Sequence, residues 1–434
     1  MDSFNYRNGQ LFCEDVPVAD IASGAGTPVY IYSAATLLGH YRRLAESFAE
    51  LSPTICFSIK SLANLHILKL LAEAGSGFDV VSGGELARAK AVGADLGRIV
   101  YAGVGKTDKE IIEAVQAGIG LFNVESEAEF ENISRLAAQA GKKVRCALRL
   151  NPDVYDPKTH THTATGKKET KFGVDIERAA AFFRAYGRDE HARLDAIHLH
   201  IGSPIYSAEP YVKAITKTLA LMGRLSDEGF TVRTLDIGGG FAADYVAGAS
   251  PLASDYAAQI VPLLKGRGLE VILEPGRQIA ANAGLLLTRV LYVKKGGQKN
   301  FLIVDAAMTD LVRPAMYGSE HFVWPVRLSG GGAGAPAEPQ RRIDLAAPGG
   351  QKVDVVGGVC ESTDFLAKDR TLPVMARGDL LAVFSAGAYG FTMSSQYNSR
   401  PRAPEVLVEG GKWRIIRPRE TYEDLFATER LTYA

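Results

Sequence analysis

The chain has 434 residues, 49 Lys and Arg against 49 Asp and Glu, 47% hydrophobic and 23% charged residues, and four cysteines. Such a composition can bury a large core, which excludes a disordered or fibrous chain. A net charge of 0 with no basic block argues against nucleic acid as the main partner and turns attention to small molecules.

Cys13, Cys56, Cys146 and Cys360 are scattered and form no CxxC pair, which fits a reducing compartment. The opening MDSFNYRNGQLFCEDV lacks the basic-then-apolar order of a secretory signal, so the expected location is the cytoplasm. Residues 380–399 carry no charge over a length that could cross a bilayer, but their glycines, serines, Gln396 and Asn398 argue against a span. No membrane association is expected.

In chain order, PVYIYS (28–33) is a strand without an obvious neighbour. From Thr54 to Pro275 short apolar runs alternate with longer amphipathic segments, the pattern of parallel strands joined by helical crossovers. The strands are TICFSI (54–59), GFDVV (77–81), RIVYA (98–102), IGLFNV (119–124), VRCALRL (144–150), DAIHLH (195–200), TLDIG (234–238) and EVILE (270–274). Helical stretches lie between them, two of which end at Gly75 and Gly229 as left-handed caps. Eight such units in series imply an α/β fold, a TIM-like (β/α)8 barrel over residues 36–280. Beyond it the runs LLLTRVLYVKK, NFLIVDAAM, KVDVVGGV, DLLAVFSAGAY, APEVLVEG and KWRIIRP predict a second, mostly β domain. That domain comprises residues 281–434 and is completed by residues 1–35, which gives PVYIYS a sheet to join. Residues 329–340, SGGGAGAPAEPQ, read as an exposed loop.

Barrel active sites form at the C-terminal ends of the strands. Lys60 closes the first strand there, His200 and Gly202 follow the sixth, Gly238, Gly239 and Gly240 the seventh, and Glu274, Gly276 and Arg277 the eighth. Lys60 after an apolar strand is either a capping surface lysine or a desolvated amine able to form a Schiff base. The glycine triplet is either a tight turn or a phosphate cradle of unobstructed N–H groups, and Gly276-Arg277 on the next loop favours the cradle. Glu274 ends a buried strand, so it either pairs with Arg277 or another base or holds a proton on a heteroaromatic nitrogen.

His198 and His200 share one face of the sixth strand, but no Cys or carboxylate accompanies them at metal-ligand spacing. More simply, His200 stacks on a flat ring and His198 fills the barrel below it; no metal is expected. His160 and His162 read as solvated loop residues. In the β domain, Arg313 and Tyr317, four apart, suit a carboxylate fork plus a hydroxyl donor, or else a surface ion pair. Cys360-Glu361 opens a polar loop, an odd place for a core cysteine, and Tyr389 in AGAYG is either a core tyrosine or a hydroxyl reaching a ligand.

The ordered set YRNG, FSIK, FDVVSGGEL, GVGKT, FNVES, TGKKETKFGV, HIGS, LDIGGG, EPGR, DAAMTDLVRPAMY, CESTD, AYG and YNSRPRAPEVLV resembles the fold-type III decarboxylases that use pyridoxal 5′-phosphate (PLP). The resemblance spans nearly the whole chain and is strongest to the branch acting on meso-diaminopimelate. It implies that Lys60 anchors the cofactor, His200 stacks on its ring and Glu274 pairs with the pyridine nitrogen. Gly238 to Gly240 and Gly276 would bind the phosphate with Ser203 and Tyr389. Arg277, Arg313 and Tyr317 would take the substrate's distal carboxylate and Glu361 its distal amino group, with Tyr389 also at the substrate. Cys360 is similar to the family's proton donor, supplied to a neighbouring subunit, which implies a homodimer with shared sites.

Carbon dioxide would leave the α-carbon, the protonated pyridine would take the electrons, and L-lysine would be the product. A far end carrying both ammonium and carboxylate needs Glu361 and Arg313 together; polyamine-forming relatives have no distal carboxylate for Arg313, and alanine racemases of similar barrel present arginine to the pyridine. Cofactor-carrying barrels without catalysis typically lack the β domain. SIKSLAN around Lys60, Thr363 where Gly is usual and Gly358 where Pro is frequent depart from the family pattern. They leave a related substrate open, such as carboxynorspermidine or a carrier-bound amino acid.

Overall fold

The computed structural model describes all residues except 1, 155, 157–170, 246–249, 329–336, 338, 340, 343 and 430–434. His160, His162 and most of the 329–340 loop therefore lie outside the described residues. The chain forms two compact units, one of residues 40–243 and 250–278, the other of residues 1–39, 244–249 and 279–434.

The first unit is the barrel. Its strands are Thr54–Ser58, Gly77–Val80, Ile99–Tyr101, Leu121–Val124, Val144–Asn151, Ala192–Leu199, Thr234–Asp236 and Glu270–Leu273. Each pairs in parallel with the next, and the eighth closes on the first through Ile272 with Thr54 and Leu273 with Ile55. A two-residue strand, Val174–Asp175, pairs with the fifth outside the ring, and is too short to show in the sequence pattern.

Three crossover helices start with the same device, S/T-x-x-E. Ser82, Thr107 and Ser126 accept the N–H groups of Glu85, Glu110 and Glu129, satisfying helix-end donors. Those glutamates in turn accept the backbone N–H groups of Val81, Gly83 and Glu125, so each cap also ties down a loop at the strand ends. Gly75 and Gly229 follow their helices with positive φ, as expected from the sequence.

Side chains two residues apart on a strand share a face. Cys56, Val100, Leu121, Ala147 and Ala196, with Ile272 packed against them, make an apolar layer inside the barrel. One step nearer the C-terminal mouth, Asn123, Arg149, His198 and Glu274 follow on the same faces, and all four are buried. The barrel thus changes from apolar to polar within one layer, which is what positions a site there.

The second unit is mostly β. The 13-residue strand Gly284–Gly296 pairs antiparallel with Val29–Ser33, Lys299–Val304 and Leu380–Val383. Val29–Ser33, fully buried, lies between that strand and Glu405–Glu409, so the N-terminal run sits inside the sheet. Three short N-terminal strands, Phe4–Arg7, Gln10–Cys13 and Val16–Pro17, form a separate sheet. Its first hairpin turns at Asn8-Gly9, both with positive φ, the favoured pair for a two-residue turn. The uncharged stretch 380–399 is a strand followed by turns, and no helix among the described residues is long and apolar enough to cross a membrane.

Candidate active site

At the barrel mouth Lys60 lies on a turn just past the first strand, its side chain one-third exposed, with Nζ 2.6 Å from Asp79 Oδ2. Asp79 is wholly buried and also accepts the Ser58 hydroxyl at 2.5 Å. Burial raises its carboxyl and Lys60 opposes that rise. The sequence reading missed Asp79; its only signal was an acid inside the apolar run GFDVV.

Glu274 does not rest on Arg277. Its Oε2 meets His198 Nε2 at 3.2 Å and its Oε1 accepts Asn123 Nδ2 at 3.0 Å. Burial alone would raise this carboxyl, but His198, then Lys60 and Asp236, hold it below the ordinary range, so Glu274 is the anion of the group. His198 is thus the partner of Glu274 rather than mere filling. Asp236 is fully buried, and its Oδ2 meets no N–H or hydroxyl donor among the described residues. Burial and then the Glu274 charge raise it, so Asp236 keeps its proton and donates to Glu274. Ligand atoms of His198, His200 and Glu274 also lie within 4.8 Å of one another, a carboxylate that strand spacing hid because it arrives from the eighth strand.

The glycine turn after the seventh strand is built for close approach. A Cβ on Gly238, which has φ +71°, would stand 2.1 Å from the Leu199 carbonyl oxygen, and one on Gly239 would stand 2.3 Å from that of Glu274. Gly238 N–H donates to Asp236 Oδ1 at 2.8 Å and Gly239 N–H to His200 Nδ1 at 3.3 Å, so two of the three expected cradle donors are engaged inside the barrel. On the next loop a Cβ on Gly276 would stand 2.9 Å from Ser58 Cβ. Arg277 Nε donates to the Ser203 hydroxyl at 3.1 Å. Burial, then Arg149 and Lys60, lower the His200 imidazole well below its ordinary range, leaving it a neutral flat ring. Arg149 is held by Glu125 at 2.6 Å, both buried. Lys60, His200, Ser203, the glycines, Glu274, Gly276 and Arg277 therefore all belong to the barrel unit and its C-terminal end.

In the β unit Arg313 and Tyr317 begin and end one short helix, Arg313–Tyr317. Arg313 is 6% exposed, no surface residue; it donates to Ser319 Oγ at 3.1 Å, and its guanidinium lies 5.0 Å from the Tyr245 ring centre. Cys360 and Glu361 are exposed at the start of a loop organised by buried Asp364, whose carboxylate accepts the N–H groups of Met308 and Val359. Cys13, Cys56 and Cys146 are buried, and burial raises all three thiols. Tyr389 is half-buried with φ +56°, a conformation uncommon for a non-glycine residue.

A closed barrel with a lysine, a neutral histidine, a glycine turn and a buried anionic glutamate at its mouth, carried in one chain with a β-rich unit, defines the PLP-dependent decarboxylase class. Residues 35–281 match the family model described as pyridoxal-dependent decarboxylase, pyridoxal binding domain. The chain is 46% identical over 431 residues to a diaminopimelate decarboxylase of Pseudomonas aeruginosa, covering 99% of each chain. Its fold is similar to the diaminopimelate decarboxylase of Helicobacter pylori complexed with L-lysine (TM-score 0.87, 38% identity, 95% of this chain and 99% of that one). It is likewise similar to that of M. jannaschii in complex with L-lysine (TM-score 0.90, 33% identity, 99% and 98%). The chain belongs to the diaminopimelate decarboxylase family.

Proposed function

We propose that the protein decarboxylates meso-2,6-diaminopimelate at one α-carbon to give L-lysine and carbon dioxide, the last step of lysine biosynthesis, with PLP as cofactor. The observation that carries this reading is Glu274, kept ionised in a buried layer by His198 and Asn123. The residues present fit the cofactor: a turn at Gly238–Gly240 that tolerates no Cβ, a neutral ring at His200, and a lysine beside an acid. Bound there, PLP supplies a protonated pyridine ring that accepts the electron pair left when carbon dioxide departs.

Lys60 anchors the cofactor, with Asp79 orienting its amine. Glu274 holds a proton on the pyridine nitrogen, and His200 covers one ring face. Gly240 and Gly276, with Ser203 and Tyr389, bind the phosphate, on a turn whose close approach Gly238 and Gly239 permit while their own N–H groups stay engaged in the barrel. Arg277, Arg313 and Tyr317 bind the distal carboxylate, Glu361 the distal ammonium, with Tyr389 also contacting substrate. Cys360 delivers the proton to the α-carbon and acts in the site of a second copy, so the working form is a cytoplasmic homodimer with shared sites.

The test is incubation of the protein with PLP and meso-diaminopimelate, following L-lysine and carbon dioxide. Stoichiometric appearance of both is expected. Turnover of carboxynorspermidine in place of meso-diaminopimelate would overturn the substrate assignment.

A further inference from the structure

We propose that Tyr397 and Asn398 clamp the Cys360-Glu361 loop, and that Tyr397 is a specificity-determining positioning residue acting through Glu361 on the substrate's distal ammonium. The proposal rests on the reading of Glu361 given above and deepens it. The Tyr397 hydroxyl donates to Glu361 Oε1 at 2.6 Å, and Asn398 Oδ1 accepts the Cys360 N–H at 3.1 Å. Two adjacent residues thus hold two adjacent residues, one through its side chain and one through its backbone. The turn Tyr397–Ser399 allows this because Asn398 sits at φ +55°, a left-handed conformation that asparagine tolerates.

Glu361 needs such a partner. It is exposed and starts a polar loop whose other ties, from Asp364, reach only backbone. A free glutamate side chain gives up rotamer freedom each time it binds, at up to about 2 kcal/mol. A phenol with two side-chain torsions fixes the carboxylate beforehand and, being neutral, leaves its charge for the ligand. With Oε1 taken, Oε2 is left to accept from an incoming ammonium. The bond to Glu361, and then its charge, raises the Tyr397 hydroxyl, so it remains a donor across the working pH range. An Arg or Lys in its place would compete with the substrate for Glu361.

The test compares holoenzyme with Tyr397→Phe, Glu361→Gln and Asn398→Gly, measuring kcat and KM for meso-diaminopimelate. Inhibition by L-lysine, which keeps the distal amine, is set against inhibition by 2-aminoheptanedioate, which keeps the distal carboxylate without the amine. Tyr397→Phe should raise KM and the L-lysine inhibition constant about 10- to 150-fold, the worth of one hydrogen bond to a charged group. Its kcat should stay within about twofold and 2-aminoheptanedioate should bind unchanged. Asn398→Gly, which keeps the turn but loses the acceptor, should instead lower kcat through Cys360. Equal weakening of both inhibitors by Tyr397→Phe would overturn the proposal, as would a neutral Tyr397→Phe beside a Glu361→Gln variant with raised KM. Should Glu361→Gln itself bind L-lysine normally, the reading of Glu361 fails and the proposal with it.

Discussion

Three glycine-to-alanine variants separate backbone strain from crowding at the candidate phosphate turn. Gly93 has φ +70° and open space around its absent Cβ, so Gly93→Ala reports the left-handed penalty alone, about 1–2 kcal/mol. Gly239 has no positive φ, but its Cβ would lie 2.3 Å from the Glu274 carbonyl oxygen, roughly 1 Å closer than side-chain carbons tolerate. Backbone cannot swing away as a side chain can, so Gly239→Ala pays the overpacking term, about 1–3 kcal/mol. Gly238 combines φ +71° with an approach of 2.1 Å to the Leu199 oxygen, and both terms add to about 2–5 kcal/mol. With a urea dependence of about 3 kcal/mol per M, Gly238→Ala should lower the denaturation midpoint by roughly 0.7–1.7 M. Midpoints from circular dichroism give the ordering, and PLP affinity provides a second reading, since Gly239→Ala must push on the backbone of Glu274. A Gly238→Ala variant no less stable than Gly93→Ala would refute the packing argument.

Asp236→Asn should fold and retain activity within a few-fold, because the amide replaces the donor that Asp236 presents to Glu274, whereas Asp236→Ala should cost about 1–3 kcal/mol. A carboxyl whose folded pKa is raised contributes stability that is full below its unfolded pKa, about 3.9, and is lost as pH rises through the folded value. Asp236→Asn removes that loss, so its stability relative to the parent should grow as pH rises; a constant difference across pH would count against a protonated Asp236. Glu125→Ala leaves Arg149 buried without its 2.6 Å partner and should cost about 3–5 kcal/mol by urea denaturation, with Glu125→Gln milder. Mixing inactive Lys60→Ala and Cys360→Ala proteins under subunit exchange should restore activity through hybrid dimers; exchange demonstrated without recovery would exclude shared sites.

All eight barrel strands were legible because each is a short apolar run between amphipathic segments, and PVYIYS was legible as a strand in need of a sheet. Phe365–Leu372 was not, since Lys368, Asp369 and Arg370 interrupt its apolar pattern, and Asp369 has positive φ. The N-terminal hairpin was not legible either, although Asn8-Gly9 marks its turn, because four-residue strands carry too little periodicity. At the candidate site, residues marking strand ends could be singled out from the sequence, among them Lys60, His200 and Glu274. Asp79, Asn123 and Asp236 were missed because each is polar inside an apolar strand, and their purpose lies with partners 19 to 151 residues away in the chain. Tyr397 and Asn398 were missed for the same reason, their partners lying 36 and 38 residues away.

The balanced total charge conceals how unevenly the barrel treats its acids. Asp79, Asp236 and Glu274 are all buried in the same region, where two like charges 4 Å apart repel by about 4 kcal/mol even at an effective dielectric near 20. Three full anions are therefore untenable, and the neighbours decide which acid ionises. Lys60 compensates Asp79 directly, whereas Asp236 receives only one backbone N–H and retains its proton. Glu274 alone receives an imidazole, an amide and a carboxylic acid donor, so the uncompensated negative charge settles there. Asp236 then has two effects at once: it withdraws a competing charge, and its proton steadies the charge that remains. A pyridine nitrogen set against Glu274 would meet an anion already fixed in place, which is what keeping that ring protonated through a catalytic cycle requires.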